Sequence, residues 1–284
     1  MTGNVNADRP AVGSSESGRS MVCVMGAHSG VGVSTVSANL AFCAQRGKLN
    51  RETALLDLNL YEGDLHVLLR LEPEHFWREL MRDPLVLDPT LLMSVLMKHK
   101  TGLHLLASDY DGLPEVSVPS DKINRLCSLA QSLFPMIVAD CGTVLNSTVT
   151  TVLTTATTVL LVTTLEVPAM RRTLAMMEAL KALGHGRERV VVVLNRSRRE
   201  DQGLQAEAEG LIGQPIDFVV PNVPEDAHEA LETGRLLCAD KKSGAVVKVY
   251  ERLAARLIDT KREALSRPAS WHSRWISRLW GDAA

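Results

Sequence analysis

An α/β fold, a three-layer sandwich in which helices cover both faces of a mostly parallel central sheet, is predicted by three features of this 284-residue sequence. Short apolar runs alternate with helical patterns of about 10–15 residues, which is the signature of βαβ units. The first apolar run, Met21 to Met25, passes through a glycine-rich turn straight into a helix. Several of the runs end in Asp or Asn, at the edge where open parallel sheets bind ligands.

The elements follow in order. Residues 1–20 are rich in Gly, Ser, Asn and Asp and are expected to be a disordered leader. Val22, Val24 and Met25 mark a buried strand, Gly26, Gly30 and Gly32 punctuate a loop, and Ser34, Thr35, Ala38, Leu40 and Ala41 take up helical spacing. Thr53 to Leu58 is a second strand that carries Asp57 near its end, with Asn59, Gly63 and Asp64 just beyond. Asp88 and Pro89 open a helix with a Leu91, Leu92, Val95, Leu96 stripe, and Leu103, Leu105 and Leu106 form a strand leading to a turn at Asp109-Tyr110-Asp111-Gly112. Ser120 is expected to cap a helix bearing Ile123, Leu126, Leu129 and Leu133, which feeds the strand Met136 to Asp140.

Beyond this point the alternation is regular. Strands are expected at Val159 to Val162, Val190 to Leu194 and Ile216 to Val220, with helices from Pro168 to Leu183, Gln205 to Ile212 and Ala227 to Glu232, the last ended by Gly234. A final helix is expected from Ser243 to Leu265. With no internal repeat, residues 21–265 read as one domain, a size that buries a substantial core.

The glycine loop suggests chemistry. Glycines let the main chain curl so that several N–H donors, and the positive end of the next helix, converge on an anion. The usual phosphate-binding loop, G-x-x-x-x-G-K-[ST], adds a lysine for the β/γ-phosphates and a hydroxyl for magnesium. Here Gly26 to Thr35 reads GAHSGVGVST, which keeps Gly30, Gly32, Ser34 and Thr35 but places Val33 where the lysine belongs, after Val31. An apolar strand ending in Asp140 is the pattern whose carboxylate holds a magnesium-bound water, which makes Ser34 and Asp140 candidate metal ligands, to which the family resemblance below adds Asp57.

The loop resembles the deviant Walker A motif of the MinD/ParA superfamily of P-loop NTPases, K-G-G-x-G-K-[ST]-T, in which the earlier lysine reaches a partner subunit's nucleotide. His28 stands at that earlier position, so both family lysines are missing. The series LDLNLYEGD, GLHLLAS, IVADCG, LLVTTLEVPAMRRT, VVVVLNR and VPNVPEDAHEALETGRLL is similar in order and spacing to the CpaE/TadZ branch, over residues 21–260. The resemblance implies a P-loop NTPase-like fold, ATP and Mg2+ as ligands, a homodimer, and a role in positioning Tad/Flp pilus or secretion machinery. It implies that Gly26, His28, Gly30, Val31, Gly32, Val33, Ser34 and Thr35 surround the phosphates, with Asn195, Arg196 and Pro221 flanking adenine. Asp57 and Asn59 fall at its D-x-D switch positions, where Asn59 replaces a carboxylate. The branch's receiver-like N-terminal domain has no counterpart in this sequence.

These departures have a direction. A lysine–phosphate contact contributes roughly 1.5–3 kcal/mol, and loss of one preorganised donor in a transition state costs about 10²–10³ in rate. Weakened binding with little hydrolysis is therefore expected. An active ATPase acting in cellulose-synthase localisation or partitioning, and a nucleotide-free interaction module, are the alternatives.

The last segment, 266–284, interleaves Trp271, Trp275 and Trp280 with Arg267, Arg274 and Arg278, as a basic amphipathic helix in a membrane interface would. Docking on the body or on a partner protein is the other reading. Lys and Arg number 31 against 33 Asp and Glu, and no basic cluster marks the body, which argues against nucleic acid as a partner. Five cysteines without a CxxC pair point to a reducing compartment. With no transmembrane run and no signal-peptide layout, a cytoplasmic location is expected, with possible peripheral contact at the inner face of the cell membrane.

Overall fold

The computed structural model describes residues 19–46, 50–81, 86–108, 118–239 and 244–258. In chain order these hold β1 (Ser20–Gly26), α1 (Val33–Arg46), β2 (Thr53–Asp57), α2 (Leu65–Leu68), α3 (Pro89–Val95), β3 (Met97–Lys98), β4 (His104–Leu106), α4 (Ser120–Leu133) and β5 (Met136–Asp140). The second half holds α5 (Ser147–Thr155), β6 (Thr158–Thr163), α6 (Val167–Ala182), β7 (Val190–Ser197), α7 (Gln202–Ile212), β8 (Phe218–Pro221), α8 (Pro224–Thr233) and α9 (Gly244–Ile258). The eight strands form one sheet in the order β3-β4-β2-β5-β1-β6-β7-β8. Every pairing is parallel except β3 with β4.

β1 lies at the centre of the parallel sheet, between β5 and β6, and all seven of its residues are buried. Burial on both faces explains its continuous apolar sequence. Met21, Cys23 and Met25 face one core with Ile123, Leu126, Val152, Leu180 and Ile212 from α4 to α7. Val22 and Val24 face the other, built with Val36 and Leu40 of α1 and Tyr250, Leu253 and Leu257 of α9. All five cysteines are buried free thiols.

Local chemistry sets the helix ends. Asp88 caps α3, accepting a hydrogen bond from Leu91 N at 2.8 Å, with Pro89 in the first turn. α8 stops at Gly234 as expected. Several expected boundaries move: α7 and α8 each begin three residues earlier than expected, and β7 runs on to Ser197. Ser20, assigned to the leader, opens β1. Ser120 is the first residue of α4, and Pro119 holds the cap position without a side-chain bond, so proline's fixed φ sets that end. β8 begins at Phe218, two residues later than expected.

Six elements escape the sequence reading: α2, 3₁₀ turns at Trp77–Met81, Arg199–Asp201 and Leu237–Ala239, the antiparallel edge strand β3, and α5. Helix α5 is SerThrValThrThrValLeuThrThr, which β-branched propensity disfavours. Its hydroxyls return to the helix, as with Thr151 Oγ1 to Ser147 O at 2.8 Å, and Asn146 caps it through Val149 N at 2.9 Å. The remainder of the leader, the turn expected at Asp109 to Gly112, the far end of the last helix and the tryptophan tail lie outside the described residues.

Candidate functional site

The loop between β1 and α1 stands at the C-terminal edge of the sheet. Its start is tied down on both sides: Gly26 N donates to Gly142 O and Ala27 N to Val162 O, both at 2.9 Å. Gly30 and Gly32 have φ of +76° and +98°, which fold the chain back over the start of α1. At Gly32 glycine is doubly required, because a Cβ there would lie 2.6 Å from Asn195 Nδ2. That amide reaches across from β7 and donates to Val31 O at 2.8 Å. Asn195, expected beside a base, therefore braces the loop from below. The first turn of α1 contains no acidic side chain, which leaves its amide donors uncompensated by charge.

Val33 does not merely lack a charge. It is 6% exposed and belongs to the apolar core behind the loop. A methyl group of Val33 and one of Val31 would each lie 2.6 Å from a Cβ on Gly26, so both valines close tightly on that glycine. The lysine position has become part of the loop's apolar underside. His28 is equally committed: Nε2 pairs with Thr164 Oγ1 at 3.1 Å and Nδ1 with Ser29 O at 2.9 Å. Ser29 Oγ in turn donates to Glu62 Oε1 at 3.1 Å, linking the loop to the segment after β2.

Ser34, Asp57 and Asp140 converge beneath the loop, whereas the carbonyl of Thr35 accepts from Asn39 Nδ2 at 2.8 Å within α1. Asp57 and Asp140 are register partners at the ends of β2 and β5. Asp57 Oδ2 accepts from Leu65 N at 3.2 Å and Oδ1 from Asn59 N at 3.3 Å. Burial, reinforced by the neighbouring Asp140 charge, pushes the Asp57 carboxyl well above its usual range. Burial likewise raises Asp140 to about 6, against the facing Ser34 hydroxyl and the Gly142 N–H, which favour its charged form. Oδ1 of Asp140 accepts from Gly142 N at 3.0 Å, whereas Oδ2 is buried without a hydrogen-bond partner.

An orphaned, fully buried carboxylate oxygen facing a hydroxyl fits a magnesium-bound water. Among the described residues no group of three or more His, Cys, Asp or Glu is placed to hold a metal. A cation here would thus depend on phosphate oxygens as well as on Ser34 and the two aspartates. Asn59 is turned to local structure: Oδ1 accepts from Tyr61 N at 3.2 Å and Glu62 N at 3.3 Å, and Nδ2 donates to Glu62 O at 3.2 Å.

Arg196 and Pro221 lie at the same edge, at the ends of β7 and β8, where Ser197 pairs with Pro221. Arg196 is exposed, with φ of +56°. The sequence reading missed Thr164 and Glu166. Thr164 holds His28, and its hydrogen bond lowers the Glu166 carboxyl below its ordinary range. The signal was present, since Thr163-Thr164 ends an apolar strand as Asp57 and Asp140 do.

The architecture has counterparts among solved structures. A ParA family ATPase from Chlorobium tepidum TLS superposes with a TM-score of 0.75 at 22% identity, covering 84% of this chain and all (100%) of that one. The chain has the MinD/ParA P-loop fold. The septum site-determining protein MinD of Pyrococcus horikoshii OT3, solved with Mg-ADP, matches with a TM-score of 0.71 at 18% identity, over 85% of this chain and 96% of that one. In sequence, a protein of Nephroselmis olivacea assigned as the septum site-determining protein MinD is 26% identical over 273 residues, which is 92% of this chain and 94% of that protein. No protein-family model matches the chain. Among the described residues, no helix of this MinD/ParA-like fold is long and apolar enough to cross a membrane.

Proposed function

We propose that this chain is a nucleotide-binding positioning or regulatory factor of the MinD/ParA kind, binding ATP with Mg2+ and hydrolysing it slowly or not at all. The observation that carries the reading is the split within the site. Gly30 and Gly32 keep the positive φ that an anion cradle at the α1 terminus needs, and Asp57 and Asp140, candidates for the metal with Ser34, stand in register. Val33, His28 and Asn59, at the positions of the family's lysines and second carboxylate, are bound into the protein itself.

In this reading the loop's main-chain donors orient the phosphates, and Ser34 and Asp140 hold the metal and its water. Mg2+ would supply charge neutralisation between phosphate oxygens. Arg196 and Pro221 would border the base. Asn59, engaged with Glu62 and Tyr61, is a poor group for orienting an attacking water. A homodimer follows from the MinD/ParA resemblance, with the exposed Tyr61 after β2, Val144 after β5 and Val167 at the start of α6 as its candidate contacts. By its CpaE/TadZ resemblance the chain would act in the cytoplasm on Tad/Flp pilus or secretion assembly, with the 266–284 tail touching the inner membrane face or a partner.

Calorimetric titration with magnesium ATP, paired with a phosphate-release assay, tests the nucleotide part. Saturable binding with release no faster than a protein-free blank is expected; absence of binding at millimolar ATP overturns it. Focal placement of a fluorescent fusion that is lost with the pilus machinery tests the positional part, and diffuse fluorescence counts against it. A second reading, an active positioning ATPase, is favoured by the retained Asp57. Turnover abolished by Asp57→Ala would establish it.

A further inference from the structure

We infer that this loop reads the β-phosphate of a nucleotide and is blind to the γ-phosphate, so that nucleoside diphosphates and triphosphates are ligands of equal rank, with Val33 the specificity-determining residue. The inference rests on the nucleotide-site reading above. It follows from what each part of the loop can still do.

The main-chain donors of the glycine turn and the first turn of α1 require no side-chain charge, and they gather around an anion at the helix terminus. That function survives, because Gly30 and Gly32 keep the required positive φ and Asn195 holds Val31 O in place. The outermost phosphate of a P-loop ligand depends instead on the side-chain lysine and on the metal. Val33 occupies the lysine position and is turned into the core, 6% exposed and tight against Gly26. The other loop side chain at a family lysine position, His28, is held by Thr164 and Ser29 O.

The opposite wall of the site works against an extra charge. A transferred phosphoryl group sits between the metal and the residues that position water. Here that region is lined by Asp57 and Asp140, with Glu62 close enough to act on Asp140. A triphosphate brings one more negative group toward these carboxylates than a diphosphate does, and no lysine meets it. Mg2+, held by Ser34 and Asp140, would offset part of that repulsion, while the charge a lysine would add at position 33 stays absent.

The test is calorimetric titration of the full chain with AMP, ADP and ATP, each with magnesium, at neutral pH. ADP should bind as tightly as ATP, within about threefold, or more tightly, and AMP at least tenfold more weakly, tenfold being 1.4 kcal/mol. ATP binding tenfold or more tightly than ADP overturns the inference, and AMP binding as tightly as ADP overturns the assignment of the β-phosphate. Failure of all three nucleotides to bind at millimolar concentration overturns the nucleotide-site reading itself. Val33→Lys, checked for native secondary structure by circular dichroism, should shift preference toward ATP by about tenfold. An unchanged ratio in the folded variant removes Val33 as the determinant. Should that variant not fold, the wild-type ratio alone decides the matter.

Discussion

Asp57 and Asp140 face each other across adjacent parallel strands, paired in register and only 1% and 0% exposed. Two carboxylates so placed resist ionising together. Asp140 is raised to about 6 from 3.8, so the folded protein holds a proton that the unfolded chain releases earlier. Stability therefore falls as the pH rises from about 4 through 6, and the full loss is present at pH 7.5. Asp140→Asn keeps an acceptor for Gly142 N and carries no charge. At 1.36 kcal/mol per pKa unit it should stabilise the ligand-free protein by about 3 kcal/mol at pH 7.5, and by little at pH 4. Urea unfolding at both pH values checks this, and equal stability at pH 7.5 would refute the buried-charge penalty.

The same pair predicts a linked effect of the opposite sign when ligand is present. In the proposed site magnesium and nucleotide would need Asp140 ionised, so their stabilisation should weaken as the pH falls through about 6. At a hundredfold excess over Kd the ligand adds about 2.7 kcal/mol to stability. Thermal melts with and without magnesium ADP should show that gain at pH 7.5, a smaller one at pH 5.5, and none in Asp140→Asn. A gain independent of pH would remove Asp140 from the metal site.

Much of this arrangement is legible in the sequence because period and punctuation agree. The buried run of β1, the glycines after it, and the aspartates ending β2 and β5 each carry a local signal that the fold then uses. Side-chain commitments are less legible. Asn195 sits where a base contact is expected, yet its amide is spent on Val31 O, 164 positions away in sequence, and only the β1-β6-β7 packing brings the two together. Val33 reads as a missing charge, whereas its burial against Gly26 is a tertiary fact. Helix α5 was hidden for a different reason: threonine's propensity disfavours a helix that capping by Asn146 and burial of Val149, Val152 and Leu153 nonetheless stabilise.

The Asn195 brace predicts a coupling. Asn195→Ala leaves Val31 O without its buried donor and should destabilise the protein by roughly 1–3 kcal/mol. Gly32→Ala suffers both a strained φ of +98° and a clash with the Asn195 amide at 2.6 Å. In the Asn195→Ala background the clash is gone and the strain remains. The double variant should therefore be more stable than the sum of the single losses implies, by about 0.5–3 kcal/mol. Strict additivity in a denaturation cycle would show that the amide does not constrain Gly32.

Asn59 offers the sharpest test of whether the missing carboxylate alone limits hydrolysis. Aspartate at 59 retains an acceptor for Tyr61 N and Glu62 N but loses the Nδ2 donor to Glu62 O. It also adds a fourth acid beside Asp57, Asp140 and Glu62, where burial already opposes ionisation. Asn59→Asp should therefore lower stability by roughly 1–3 kcal/mol and leave phosphate release from magnesium ATP at background. The reason is that the lysine position remains apolar, so charge developing on the outer phosphate still has no fixed cation beside it. Urea unfolding and a phosphate-release assay on the same preparation separate the two effects. Turnover that rises clearly in Asn59→Asp while Val33 is untouched would mean that water positioning, and not the loop's missing charge, limits hydrolysis at the proposed site.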